Sequence, residues 1–202
     1  MSHVPPLVLA SASPRRADVL RQLCLPFTID PARVDETYLP GEAPDAHVER
    51  LARAKARAVA PAHPGALVVG GDTVVVHEGR VLGKPADPGE ALAMLSALAG
   101  RSHHVLSGLA LAGAGGGCST VARARVTFRA ADERTLRTYV ATGEPMDKAG
   151  AYGIQEGGAA LVEEIRGDYY TVVGFPVAAF LDLLAQAGFR YTFTGLEPLD
   201  DP

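Results

Sequence analysis

Two adjacent arginines, Arg15 and Arg16, fall in the first turn of the helix announced by "SPRRADVL". That turn is the positive end of the helix dipole, where carboxylates are favoured and cations are not. With the hydroxyls of Ser11 and Ser13 just ahead of them and the unpaired N–H groups of a helix start, they are the parts of a phosphate or carboxylate site. The plainer alternative is that both arginines are solvated or paired with acidic loops. Asp72 lies inside "ALVVGGDTVVV", the most apolar stretch of the chain. A carboxylate there must be paired, hydrogen-bonded or metal-bound, unless it ends the strand and caps a turn. Gly70 and Gly71 beside it would let a ligand approach the backbone closely.

Lys55 is informative by its position. Val48, Leu51, Ala52, Lys55 and Val59 fall on one helical stripe that is otherwise apolar. Either the lysine stem lies along the core with its ammonium reaching water, or the ammonium points into a cleft. Lys84 in "GKP" and the pair Asp35 and Glu36 in "VDET" sit in loops just after strands, where α/β proteins build their sites. Together, four cations and three carboxylates from separate segments have the makeup of a metal-assisted polyphosphate site. Other patterns fall away. "GAGGGC" lacks the third glycine of a dinucleotide fingerprint and joins two strands, and Pro85 directly after Lys84 rules out a P-loop. His103 and His104 on a strand point to opposite faces, so a zinc site is not expected.

The elements that must carry these groups can be read along the chain. "LVLAS" (7–11) is a buried strand, followed by a helix with Ser13 as N-cap, Pro14 at its first position, and Ala17, Leu20, Leu23 and Cys24 on its core face. "FTID" (27–30) is a second strand, and a helix starts near Asp45 and stops before Pro61. Residues 66–76 form a central strand with a tight turn at "HEGR", then a helix runs from an Asp87 N-cap to Gly100. Strands at 103–112 and 119–129 are joined by the flexible "GAGGG". In the second of them Ala122, Ala124, Val126 and Phe128 face one way, with Arg123, Arg125, Thr127 and Arg129 facing the other. A helix over 132–141 precedes a glycine-rich working loop at 142–158. "ALVEEI" and "YYTVVG" form a closing hairpin around "RGD", and Pro176 starts the last helix. Strand-to-helix units mixed with hairpins give an α/β fold with a mixed, twisted sheet.

The 202 residues suffice for one folding unit with a sizeable core. A formal net charge of −4 argues against a nucleic-acid binder working through a broad basic surface. Two distant cysteines, Cys24 and Cys118, make neither a disulfide framework nor a metal pattern, and Cys24 reads as core. With no signal peptide and no apolar run long enough to span a bilayer, the expectation is a cytoplasmic protein without a membrane partner.

The motifs taken together resemble the Maf family of nucleoside triphosphate pyrophosphatases: "ASASPRRADVL", "VDE", "RLARAKA", "GGDTVVV", "GKPAD", "VTFR", "YVATGEPMDKAGAYGIQ" and "GDYYTVVGFP", in order from residue 10 to 176. The resemblance implies an elongated mixed α/β fold similar to that of inosine triphosphate pyrophosphatases, one domain of two lobes around a cleft. It also implies hydrolysis of a nucleoside triphosphate to monophosphate and pyrophosphate with a divalent metal, Mg²⁺ or Mn²⁺, and it is compatible with a homodimer. Carried over by position, Asp72 is the catalytic acid/base, Arg15, Thr73 and Gln155 bear on base choice, and Glu36, Lys55 and Lys84 are further active-site positions. On this reading Glu36 and Asp72 hold the metal, Asp72 positions or deprotonates the water that attacks the α-phosphate, and Arg15, Arg16, Lys55 and Lys84 bind the triphosphate beside Ser11 and Ser13. "DTVV" with "GIQ" resembles the subgroup acting on dTTP and UTP, and a glutamine amide offers a pyrimidine edge both a donor and an acceptor. Gly71 replaces the family's usual alanine, and Glu156 stands where a glycine usually follows the glutamine. A nucleotide-binding regulator of septum formation without turnover, or a purine (inosine-type) triphosphate pyrophosphatase, are the competing readings.

Overall fold

Helix starts follow from local chemistry. Asp87 caps a helix over Pro88–Leu98 and its carboxylate accepts the Glu90 N–H at 2.9 Å. Asp132 accepts the Thr135 N–H at 2.8 Å at the start of the helix Glu133–Ala141. Each cap satisfies one of the orphan donors of a helix start. In the computed structural model, which describes residues 4–113 and 116–199, the elements are β1 (Leu7–Leu9), α1 (Pro14–Gln22), β2 (Phe27–Ile29), α2 (Pro44–Val59), β3 (Leu67–His77), β4 (Arg80–Leu82), α3 (Pro88–Leu98), β5 (Ser102–Gly113), β6 (Gly116–Phe128), α4 (Glu133–Ala141), β7 (Val162–Arg166), α5 (Tyr169–Val173), α6 (Val177–Gln186), β8 (Phe189–Tyr191) and β9 (Leu196–Pro198). The fold is mixed α/β, as expected. Seven strands form one sheet in the order β2-β1-β3-β5-β6-β7, with β4 also paired to β3. β1 runs parallel to β2 and β3, whereas β3–β4 and β6–β7 are antiparallel. β8 and β9 make a separate hairpin that the sequence pattern did not reveal.

The chain divides into two compact units. The first holds the described residues up to Asp72, then Ser107–Ala122, then those from Gly174 onward. Part of its core is built from small side chains, Ala10, Ala52, Ala56, Ala66 and Ala110 with Val8 and Val68, which lets a helix lie close on strands. The second holds Thr73–Leu106 and Arg123–Val173. Its core is bulkier, with Leu95, Leu98, Phe128, Leu136 and Tyr152 fully or almost fully buried. From Arg123 onward the expected alternation holds: Ala124, Val126 and Phe128 are buried while Arg123, Arg125 and, just past the end of β6, Arg129 are exposed; Ala122 is only half-buried.

Two expectations are corrected. Cys24 is exposed, with φ at 55° just past the end of α1, and Leu23 is only half-buried. The inward face of α1 is Ala17, Val19 and Leu20, because the helix ends at Gln22 before the stripe reaches Cys24. "YYTVV" is a helix and not the second arm of a hairpin, and β7 pairs with β6 instead. Its β-branched and aromatic residues favour a strand, but the Asp168 carboxylate accepts the N–H of Tyr170 at 3.1 Å, the N–H of Thr171 at 2.9 Å and the Thr171 hydroxyl at 2.9 Å. That local cap starts a helical turn. The 142–158 loop is wound into 3₁₀ turns at Glu144–Asp147 and Ala149–Ala151, with a third at Gly157–Leu161. In the "GAGGG" connection, Ala114 and Gly115 lie outside the described residues, while Gly113 ends β5 and Gly116 and Gly117 open β6.

One buried titratable group gives the fold a pH dependence. His103 is 1 % exposed, bonds the Tyr152 hydroxyl through Nε2 at 2.9 Å and packs edge-on against Phe128. Burial, helped by His77 and His104, pushes its pKa from 6.5 down to about 3. The unfolded chain therefore takes up a proton here below about pH 6.5 that the folded chain refuses, so the stability is present above that pH and drains away as pH falls towards 3. Between pH 7 and 5 the loss is expected to be about 2 kcal/mol, above the range where carboxylates titrate. Thermal melts at the two pH values check this: His103→Gln, which can keep the Tyr152 bond, should flatten the difference, and an unchanged difference would reject the assignment.

Candidate active site

Asp72 does not end its strand. β3 continues to His77, and Asp72 is 8 % exposed in the middle of it. Its charge is met by Lys55, also buried, whose Nζ donates to Asp72 Oδ1 at 2.8 Å. The same ammonium lies 2.9 Å from Glu36 Oε1, on a side chain that is more than half exposed. Lys55 thus sits on the apolar stripe of α2 because its partner is a strand carboxylate, and of the two alternatives its head is ion-paired and does not reach out to water. Among the described residues Asp72 Oδ2 has no hydrogen bond.

Backbone proximity sets this pair. A Cβ at Gly70 would lie on the carbonyl oxygen of Ala52 and 2.7 Å from the nitrogen of Ala56, and one at Gly108 on β5 would lie 2.6 Å from the carbonyl carbon of Val48. Helix α2 therefore rests directly on bare backbone of two strands. Gly70 shares its strand face with Asp72, and Lys55 lies one helical turn from Ala52, so the contact that needs glycine also brings ammonium to carboxylate. The sequence reading gave Gly70 to a ligand; the space is filled by the helix. Gly71, on the other face, has Arg16 Nε 3.2 Å from where its Cβ would be, so there a side chain of the protein makes the close approach.

Arg16 is partly buried and held by the chain. Its Nε donates to the Gly174 carbonyl at 2.9 Å and Nη1 to Ser11 Oγ at 3.0 Å. Burial lowers its pKa, the Asp72 charge opposes that, neighbouring Arg15 adds to the lowering and Glu36 opposes it. Arg16 is thus a fixed cation close to the Asp72 and Glu36 carboxylates. Arg15 is half-buried. Ser11 Oγ also accepts the Ser13 N–H at 3.2 Å. Ser13 occupies the N-cap position as expected, but its hydroxyl makes no capping bond. The two acids of "VDET" divide their tasks. Asp35 accepts the Thr37 N–H at 2.9 Å, and its hydrogen bonds to Thr37 hold its pKa below the usual carboxylate value. Glu36 is left to face Lys55.

The Glu36 loop is pinned at its far end by a cluster that sequence reasoning missed. Glu42 accepts Arg50 Nε at 2.6 Å and Arg50 Nη2 at 2.8 Å, and lies 2.9 Å from His47 Nδ1. These bonds, the Arg50 pair foremost, bring its pKa down to about 2. Tyr38 stacks on His47 with ring centroids 3.6 Å apart. His47 and Arg50 lie three apart on one face of α2, which was the available signal.

Within the second unit the expected residues lie on three segments. Thr73 follows Asp72 on β3 and is half-buried, Lys84 is exposed in the loop after β4, and Gln155 is exposed with no hydrogen bond to its amide among the described residues. The groups around the Gln155 segment, Tyr139, Glu144 and Lys148, were not singled out as site residues: Tyr139 reads as part of the apolar face of α4 with Leu136 and Val140, and no periodicity marks Glu144 or Lys148. No group of three or more His, Cys, Asp or Glu that could hold a metal occurs among the described residues, and no described helix is long and apolar enough to cross a membrane.

Against known sequences, the family profile described as Maf-like protein matches residues 6–187. The chain is 55 % identical over 184 residues to a protein of Moorella thermoacetica named dTTP/UTP pyrophosphatase, covering 90 % of this chain and 95 % of the relative. It is 50 % identical over 189 residues to one of the same name from Symbiobacterium thermophilum, covering 94 % and 97 %. A third, from Halalkalibacterium halodurans, also named dTTP/UTP pyrophosphatase, is 47 % identical over 188 residues, covering 93 % and 99 %.

Proposed function

The chain belongs to the Maf-like protein family, and from that premise we propose that it hydrolyses dTTP and UTP to the nucleoside monophosphate and pyrophosphate. The observation that carries the reaction is the buried Asp72 carboxylate, with Oδ1 fixed by Lys55 and no hydrogen bond to Oδ2 among the described residues. Fixing Oδ1 sets the plane of the carboxylate, so Oδ2 can take the proton of a water aligned on the α-phosphorus. The water oxygen bonds to that phosphorus, the bridging α–β P–O bond breaks, and its electron pair leaves with pyrophosphate. Arg15, Arg16, Lys55 and Lys84 neutralise phosphate charge, and Arg16, held at both Gly174 and Ser11, does so with no reorganisation of its own. Ser11 and Ser13 supply hydroxyls to the same phosphates.

Two carboxylates bridged by one ammonium, at 2.8 and 2.9 Å, suit a hard divalent cation such as Mg²⁺ or Mn²⁺. Such ions bind through one or two carboxylates plus substrate phosphate and water, without an all-protein cage. Asp72 and Glu36 would hold it, and when bound it would supply neutralisation of charge on the phosphate oxygens. For the base, Thr73 and Gln155 are the proposed contacts, the exposed Gln155 amide offering a donor and an acceptor to a pyrimidine. We propose too that the chain acts as a single domain.

Pyrophosphate release from dTTP, UTP, dCTP, CTP, ATP, GTP and inosine triphosphate, with Mg²⁺ or Mn²⁺, tests this. Turnover of dTTP and UTP above the rest is expected. Binding without release from any of them would make the protein a nucleotide-binding regulator, and release from inosine triphosphate alone would make it a purine enzyme.

A further inference from the structure

The segment carrying Gln155 is built on one buried lysine. Lys148 is 5 % exposed, and its Nζ donates to the Glu144 carbonyl at 2.8 Å and to Asp147 Oδ1 at 2.7 Å. Glu156 Oε2, from the residue after Gln155, lies 3.4 Å from the same ammonium. The lysine stem runs under Gly153, where a Cβ would be 2.6 Å from Lys148 Cε. Beyond Gln155 the chain is fastened by the Glu144 carboxylate, which accepts the N–H groups of Gly157 and Gly158, each at 3.0 Å, and the Tyr139 hydroxyl at 2.7 Å. Tyr139 Oη in turn accepts the Gly153 N–H at 3.2 Å. Gln155 is therefore the crest of a short arch whose two feet, Gly153 and Gly157, rest on Lys148 and Glu144. Its own amide bonds to nothing among the described residues. Glu156 is the N-terminal cap residue of the turn that follows, yet its carboxylate makes no capping bond and turns to Lys148.

We infer that Lys148, with Glu156 as its outer counter-charge, is the positioning residue that fixes the reach of the Gln155 amide, and so sets how strictly this enzyme reads a pyrimidine without touching the substrate. The inference rests on Gln155 being a base contact, as proposed above. The ammonium draws one point of the arch, the side chain of 156, onto the same centre as the carbonyl of residue 144 and the side chain of 147 in the turn before it. Loss of that centre lets the crest drift, and a small drift costs base-reading affinity while leaving the chemistry at the phosphates intact. The charge at 156 is met by the Lys148 ammonium at 3.4 Å, which is how a glutamate is tolerated beside a base-reading glutamine.

The test measures kcat and KM for dTTP, dCTP and methyl triphosphate, which has no base, in the wild type, Lys148→Met and Glu156→Gln. In Lys148→Met the dTTP:dCTP ratio of kcat/KM should fall about tenfold through KM for dTTP, with kcat and methyl triphosphate hydrolysis within about twofold of wild type. Glu156→Gln, a change on an exposed side chain that preserves shape, should move the ratio the same way by about threefold or less, and it carries the test if Lys148→Met does not fold. A ratio unchanged in the folded variants, or equal losses on all three substrates together with a lowered melting temperature, would assign these residues a purely structural role and overturn the inference. Absence of dTTP:dCTP discrimination in the wild type would instead overturn the substrate reading, and this inference with it.

Discussion

Asp72→Asn is expected to lower kcat for dTTP hydrolysis by about a thousandfold, the middle of the range for losing a general base. The amide is nearly isosteric, and its oxygen can still accept from Lys55 Nζ, so the 2.8 Å contact and the packing around β3 are retained. What disappears is the second carboxylate oxygen, the one with no hydrogen bond among the described residues, and with it the site for the water's proton and half of the proposed metal-holding pair. Steady-state pyrophosphate release checks the rate, and circular dichroism with a thermal melt checks the fold. Activity within tenfold of wild type, in a folded variant, would remove Asp72 from the chemistry.

Gly70→Ala is expected to destabilise the protein by about 3 kcal/mol, the upper end for overpacking, because the new methyl meets backbone and no side chain can rotate away. For a chain of this size that is a fall in melting temperature of about 6–12 °C. Relief requires α2 to lift from β3, and lifting α2 withdraws Lys55 from Asp72, leaving two buried charges further apart. Residual folded enzyme should therefore also be impaired in kcat. Gly71→Ala is the matched control. Its Cβ would meet the Nε of Arg16 and a leucine methyl at 3.2 Å, both on side chains, so a smaller loss is expected there. Equal melting temperatures for Gly70→Ala and wild type would refute the account of how the pair is set.

Much of this was legible in the chain because it is local. Asp87 and Asp132 as caps, the stop before Pro61, the alternation along β6 and the continuous apolar run of β3 depend on residues within a turn or two of one another, and the structure follows them. "YYTVV" shows the limit of propensity: three hydrogen bonds to Asp168 outweigh five residues that favour a strand. Cys24 shows the limit of periodicity, since an apolar stripe is only as long as its helix.

The sequence by itself determined the residue types of the site, the family they belong to, and that a carboxylate buried in an apolar strand must have a partner. Only the tertiary structure decided which partner. Lys55 and Asp72 are 17 residues apart, and they meet because Gly70, with Gly108 on β5, leaves bare backbone where α2 packs on the strands. Likewise, nothing in "MDKAGAYGIQEGG" says that Lys148 gathers the carbonyl of 144 and the carboxylates of 147 and 156, since turns of this kind have no period to read. Burial energy favours pairing in general terms, but which groups pair is fixed by where the backbone can come close, and that is a property of the folded chain.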